Sequence, residues 1–417
     1  MIARAWKVGW LALWLSLTTA YASAEPAFQV QRAISMDLWV EWPAPARWDE
    51  ESVVSAFPEW MKFITEDELE AVQDAGLDTI RLPIEPAFLL HNADDATRRG
   101  VILAGMKSAI DRLLAHDFNV ILDLHTIPRS EPGVAGIDQM MQNSAVFDRY
   151  ISLVEAIAAG LWHYPADRVA LEIINEPTLS CDNPGEQAVW AARAKRLFAV
   201  ARKASPERTL IISGACWGSA DGLSKMNPAA FDANVIWTFH SYEPFAITHQ
   251  GANWIGDLTR HYRDLPYPPY QDGASAAEAI LARNEARVRN ATSGIAEQDS
   301  LGLLRDTMRG FNNAEALDAK LREPFETAAR WADANGVARA QIFIGEFGMI
   351  GREWQSDLDI KDEWRVAYMR DIINLAEEYG FAWSVWSFGG AFGVMQGFGG
   401  KPLDNPLFDD LFPSVNN

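Results

Sequence analysis

The chain has 417 residues, of which 49% are hydrophobic and 22% charged, enough apolar sequence for a large folded core. Its 57 acidic against 36 basic residues give a formal charge of −21. Such acidity speaks against nucleic acid and anionic membrane surfaces as partners and leaves neutral polymers open.

The first stretch, Met1 to Ala24, sets Arg4 and Lys7 before an apolar run and ends in Ala22-Ser23-Ala24. That order predicts a secretory signal peptide cut after Ala24, with a signal anchor as the competing reading, and so a periplasmic or extracellular protein. Residues 25–417 then form a single catalytic domain. Strands are predicted at Ala33–Val40, Asp78–Pro83, Asn119–His125, Val169–Ile174, Arg208–Ser213, Asn234–His240, Gln341–Ile344 running into Glu346, and Phe381–Trp386. Helical patterns lie between them, the first opening with the capping box Thr65-Glu66-Asp67-Glu68 and stopping at Gly76.

Eight strands alternating with helices imply parallel pairing, and a closed (β/α)8 TIM barrel is the expected α/β fold. An open doubly wound sheet is the alternative, weakened by the lack of a Gly-x-Gly-x-x-Gly turn after the first strand. About a hundred residues separate strands six and seven, far more than a loop and one helix need, so an insertion at about 244–323 is expected over the barrel mouth. Cys181 and Cys216 follow successive strands, which permits a disulfide or two buried thiols.

Active sites of such barrels lie at the carboxyl ends of the strands. There the chain places Arg81, His125, Asn175, Glu176, His240, Tyr242, Glu346 and Trp386. Two carboxylates across a cleft can cleave a glycosidic bond, one attacking the anomeric carbon and the other exchanging the proton. Arginine and histidine beside a glutamate keep a nucleophile ionised, an asparagine bonds sugar hydroxyls, and tryptophan offers a stacking face. Taken singly, each has a packing or ion-pair explanation; their joint position at successive strand ends is the informative pattern. No His-x-x-x-His or His-Glu-x-x-His spacing points to a metal.

The ordered set of Ile-Arg81-Leu-Pro, Leu-Asp-Leu-His125, Asn175-Glu176-Pro177, Phe-His240-Ser-Tyr242, Gly-Glu346-Phe-Gly and Trp386-Ser-Phe-Gly-Gly resembles family 5 glycoside hydrolases, the cellulase family, from about residue 30 to 400. The resemblance implies Glu176 as acid/base and Glu346 as nucleophile in a retaining double displacement without metal or cofactor. It implies a β-linked glucan substrate cut by an endo-β-1,4-glucanase. β-Mannanase, β-1,3-glucanase and exo-glucosidase are alternatives on the same scaffold, and a non-catalytic carbohydrate-binding barrel is the alternative of another class. The chain departs from the family at Ile84-Glu85-Pro86 and in the insertion carrying Thr248 to Trp254. Trp39, Trp42, Trp217 and Trp254 are candidate sugar platforms along the groove.

Overall fold

The computed structural model describes residues 26–37, 39, 45–51, 64–125, 136–403 and 407–412. The expected signal peptide and Trp42 lie outside them. Eight strands close into one parallel barrel in sequence order: β1 (Arg32–Ser35), β2 (Thr79–Ile84), β3 (Asn119–Leu124), β4 (Val169–Glu172), β5 (Leu210–Ser213), β6 (Val235–His240), β7 (Ile342–Phe347) and β8 (Ala382–Val385). The first strand stops at Ser35, well short of Val40, because its partner registers end at Arg81 on β2 and Val385 on β8. No helix among the described residues is long and apolar enough to cross a membrane.

The helices show the expected signals. Thr65 caps the helix Glu66–Asp74 in a reciprocal box with Glu68, and the helix Ala96–Ala115 turns Ile102, Met106, Ala109, Ile110 and Leu113 inward at helical spacing. Cys181 and Cys216 are joined by a disulfide between the loops after β4 and β5, which decides between the two sequence alternatives.

Side chains alternate along a strand, so every second residue enters the barrel. Ala33, Ile121, Ala170, Ile211, Ile236, Phe343 and Ala382 make an apolar layer with Phe28 and Val30. Two residues further along β1, β3, β4, β5, β6 and β8 stand Ser35, Asp123, Glu172, Ser213, Thr238 and Ser384, all buried, and Arg81 joins them from β2. The interior therefore passes from an apolar base to a charged layer before it reaches the carboxyl-end mouth.

After β6 the chain forms the helices Ala274–Ala291 and Gly294–Gly310 before returning through Ala314–Asn335 to β7. Thr248 accepts from Ile350 N at 2.9 Å and Tyr267 donates to Asp371 at 2.6 Å, which fasten this segment to the loop after β7 and to the helix Asp362–Tyr379.

Candidate active site

Arg81 occupies the centre of the charged layer with no exposure. Its Nε and Nη2 donate to Glu172 at 2.8 and 3.1 Å, Nη2 also to Asn175 Oδ1 at 2.6 Å, and Nη1 to Glu346 Oε1 at 2.8 Å. Asp123 Oδ2 lies 3.0 Å from Nη2. Burial alone would pull the arginine pKa down, but Asp123, Glu172 and Glu346 outweigh it and hold the charge.

Glu346 reaches this layer through a local irregularity. Strict alternation from Phe343 would turn Gly345 inward and Glu346 outward; a register shift instead sets Glu346 opposite His240 on β6. Residue 345 must be glycine, since a Cβ there would meet Thr238 Oγ1 at 2.6 Å and His240 Nε2 at 3.0 Å. Tyr242 OH donates to Glu346 Oε2 at 2.9 Å, so arginine and tyrosine each take one oxygen of the carboxylate. Against Glu346 and Glu176 the buried phenol stays protonated, its pKa pushed well up by burial first and by these carboxylates next.

Glu176 stands beyond the end of β4 and keeps 18% of its side chain exposed, against 5% for Glu346. Its Oε1 shares a hydrogen bond with His240 Nδ1 at 2.7 Å. Burial raises Glu176 to about 7, more than His125 and Arg81 lower it. Burial also drives His240 down to about 4, so this imidazole is neutral where Glu176 titrates. The two glutamates and His240 bring one donor atom each within 4.8 Å of one another.

His125 hydrogen-bonds Asp123 Oδ2 through Nδ1 at 2.8 Å and stacks on Trp386, with ring centroids 4.9 Å apart and 8° between planes. The pair leaves Nε2 as the imidazole's remaining polar edge. Asn175 is held by Arg81, and its carbonyl accepts from Ser213 Oγ at 3.0 Å. Arg81, His125, Asn175, Glu176, His240, Tyr242, Glu346 and Trp386 are thus linked through one contact network.

The tryptophans proposed as platforms divide. Trp217 and Trp254 are 48% and 43% exposed on the loops after β5 and β6. Trp39 is fully buried with the Arg112 guanidinium over its ring at 5.4 Å, so it packs the fold and offers no face to a sugar. Sequence reasoning passed over Asp123 and Glu172, the buried partners of Arg81. Their signal was a carboxylate at an internal position of an otherwise apolar strand, which is costly unless a cation meets it.

The group Glu176, His240 and Glu346 has the donor types for a metal ion. Each donor is already engaged, His240 with Glu176 and Glu346 with Arg81 and Tyr242, and a cation would lie against a fixed guanidinium. The arrangement suits proton exchange and nucleophilic attack better than metal binding.

Residues 44–392 match the family model described as Cellulase (glycosyl hydrolase family 5). The chain belongs to glycosyl hydrolase family 5. Among its family relatives, Endoglucanase 3 of Fibrobacter succinogenes is 23% identical over 79% of this chain and 47% of its own length. Endoglucanase C of Acetivibrio thermocellus is 23% identical over 78% of this chain and 84% of its own. The chain thus spans about half the first relative and most of the second. A solved structure of the cellulose synthase subunit Z of Clostridioides difficile superposes with a TM-score of 0.62 at 19% identity, covering 93% of this family 5 chain and all of that one. At that identity the likeness concerns the fold, which is the closed eight-stranded barrel.

Proposed function

We propose that the protein is an exported, retaining β-glucan hydrolase acting as an endo-β-1,4-glucanase. The observation that carries the reading is the asymmetric pair Glu176 and Glu346. Glu346 has one oxygen on Arg81 and one on Tyr242, whereas Glu176 is raised by burial to about 7 and shares its proton with His240. A carboxyl raised by burial beside a second one held by a guanidinium and a phenol has the form of an acid and a nucleophile.

In the first step a Glu346 oxygen bonds to the anomeric carbon as the glycosidic bond breaks, and Glu176 gives its proton to the departing oxygen. In the second, Glu176 takes a proton from water, whose oxygen bonds to the same carbon and frees Glu346. Donor oxygens of the two glutamates within 4.8 Å support this route. Retention goes with carboxyl groups about 5–5.5 Å apart and inversion with about 6.5–9.5 Å, which leaves room for a water. Asn175 and the free edge of His125 hold hydroxyls of the sugar being cut, and Trp386, stacked on His125, gives it an apolar floor.

The substrate class is supported by the endoglucanase relatives, and export by the leader predicted at Met1 to Ala24. Reducing-end release from soluble cellulose derivatives, mannan, laminarin and xyloglucan tests the reading. Cellulose derivatives should be cut fastest, with a first-formed β-anomeric product by proton NMR. Inertness toward every glucan, or an α-anomer first, would overturn it.

A further inference from the structure

A single exposed aromatic ring on a protein surface carries no message, but two of them clamped by one buried carboxylate do. Trp354, on the loop after β7, is 57% exposed, and Trp254, in the inserted segment after β6, is 43% exposed. Between the two loops sits Glu353, only 8% exposed. Its Oε2 accepts from Asn253 N at 3.0 Å and its Oε1 from Trp354 N at 2.6 Å. Burying a carboxylate is costly, and here it is compensated by backbone N–H groups beside the one tryptophan and of the other. The result is a fixed distance between two loops that share no strand pairing.

The surroundings reinforce that fixation. Phe398 packs edge-on against Trp354 at 5.3 Å, and Phe392 lies 6.2 Å from Trp254. Phe392 is itself held from below, because buried Arg365 donates to its carbonyl and to that of Gly393, both at 2.8 Å. Phe392 also stands 5.9 Å from Tyr242, whose hydroxyl is on Glu346. An aromatic line therefore runs from Glu346 through Tyr242 and Phe392 to the exposed Trp254, and Glu353 ties Trp354 to the loop that carries it.

We propose that Trp254 and Trp354, braced by Glu353, form an aromatic shelf that binds the β-glucan chain beyond the sugars at the bond being cut. The inference rests on the glucan hydrolase reading and adds a place for the extended polymer. The apolar face of a pyranose stacks on an indole, and continuity with Tyr242 sets the shelf in line with the cleft. Because the inserted segment supplies half of the shelf, chain-length preference is built by the insertion together with the loop after β7.

The test compares kcat/KM on a cello-oligosaccharide series from trimer to hexamer, for the wild type and for Trp354→Ala, Trp254→Ala and Glu353→Gln. The ratio of hexamer to trimer should fall about tenfold in Trp354→Ala, the equivalent of one lost aromatic contact, and in the same direction for the other two. Thermal denaturation of each variant identifies any that unfolds, and the decision is taken on those that fold, Trp354 being the most exposed site. A ratio equal to wild type in a folded Trp354→Ala overturns the shelf. Binding of cellohexaose in a Glu346→Gln background, followed by tryptophan fluorescence, separates the two levels. Hexaose that binds, and binds more weakly with Trp354→Ala, supports the shelf even if turnover fails; hexaose that binds equally well with and without Trp354 overturns it. No binding at all overturns both readings.

Discussion

Arg81 Nη1 donates to Glu346 Oε1 at 2.8 Å, from a guanidinium that is also shared with Glu172, Asn175 and Asp123. One buried cation thus ties the proposed nucleophile to two carboxylates that face no substrate. The charged layer serves the chemistry by fixing Glu346, and serves the fold by neutralising charges on β3 and β4.

Replacing Arg81 with methionine should therefore damage both. Glu172 and Asp123 are entirely buried and would lose their cation, a cost of about 3–5 kcal/mol for breaking a buried ionic cluster on one side. Chemical denaturation should show that loss. The kcat of the surviving folded fraction should drop by about 10²-fold or more as Glu346 loses its alignment. A midpoint equal to wild type would mean that Arg81 is not the keystone of the layer.

Removing the proposed nucleophile itself is a cleaner test of chemistry. Glu346→Ala should lower turnover by a factor on the order of 10⁴ or more while sugar binding persists. Calorimetric titration with cellotetraose measures the second quantity and a reducing-sugar assay the first. Turnover at the wild-type rate would remove Glu346 from its role.

Most of the barrel is legible in the sequence because a strand buried on both faces must be a short apolar run, and β1, β4, β5 and β6 end in the polar residues Ser35, Glu172, Ser213 and His240. The motif order points to eight residues that the structure links through one contact network. What the sequence hid has physical causes. Glu346 enters the barrel through an irregular register with β6, and alternation along β7 alone would have turned it outward. Asp123 and Glu172 stand inside otherwise apolar strands, but that Arg81 meets both of them is visible only in three dimensions. Trp39 has the composition of a platform but the position of a core residue, and only packing tells these apart. Glu353 and Trp354 carry no motif; their relation to Trp254 exists only in three dimensions.

The disulfide gives a prediction of stability coupled to the site. Cys181 and Cys216 are 35 residues apart, and closing a loop of that size is worth about 3–4 kcal/mol in the chain-entropy picture. The bridge also borders a strained turn, since Cys216 and Trp217 both adopt positive φ, 55° and 58°. Trp217 N donates to the Pro177 carbonyl at 2.9 Å, one residue from Glu176. The Cys181→Ser/Cys216→Ser double variant should melt several degrees lower, and reductant should lower the wild type but not the variant. A wild type indifferent to reductant after complete thiol titration would contradict this.

The pH dependence follows from Glu176, whose carboxyl is raised by burial from 4.5 to about 7. As the proposed proton donor it must be protonated, so kcat/KM should fall as pH rises through about 7, giving the basic limb of the profile. Glu176→Gln should abolish that limb and slow the enzyme by about 10²–10⁴-fold, with a smaller loss for a dinitrophenyl glycoside whose leaving group needs no proton. Stability moves with it. The folded state holds this proton more tightly than the unfolded chain, so the contribution is complete below pH 4.5 and is lost between 4.5 and about 7. Glu176→Gln cannot lose it, and should be more stable than wild type at pH 8 by on the order of 1–3 kcal/mol, with no such advantage at pH 4. Denaturation curves at the two pH values measure the difference directly. An advantage of equal size at both would assign the stabilisation to packing and leave the basic limb to another group.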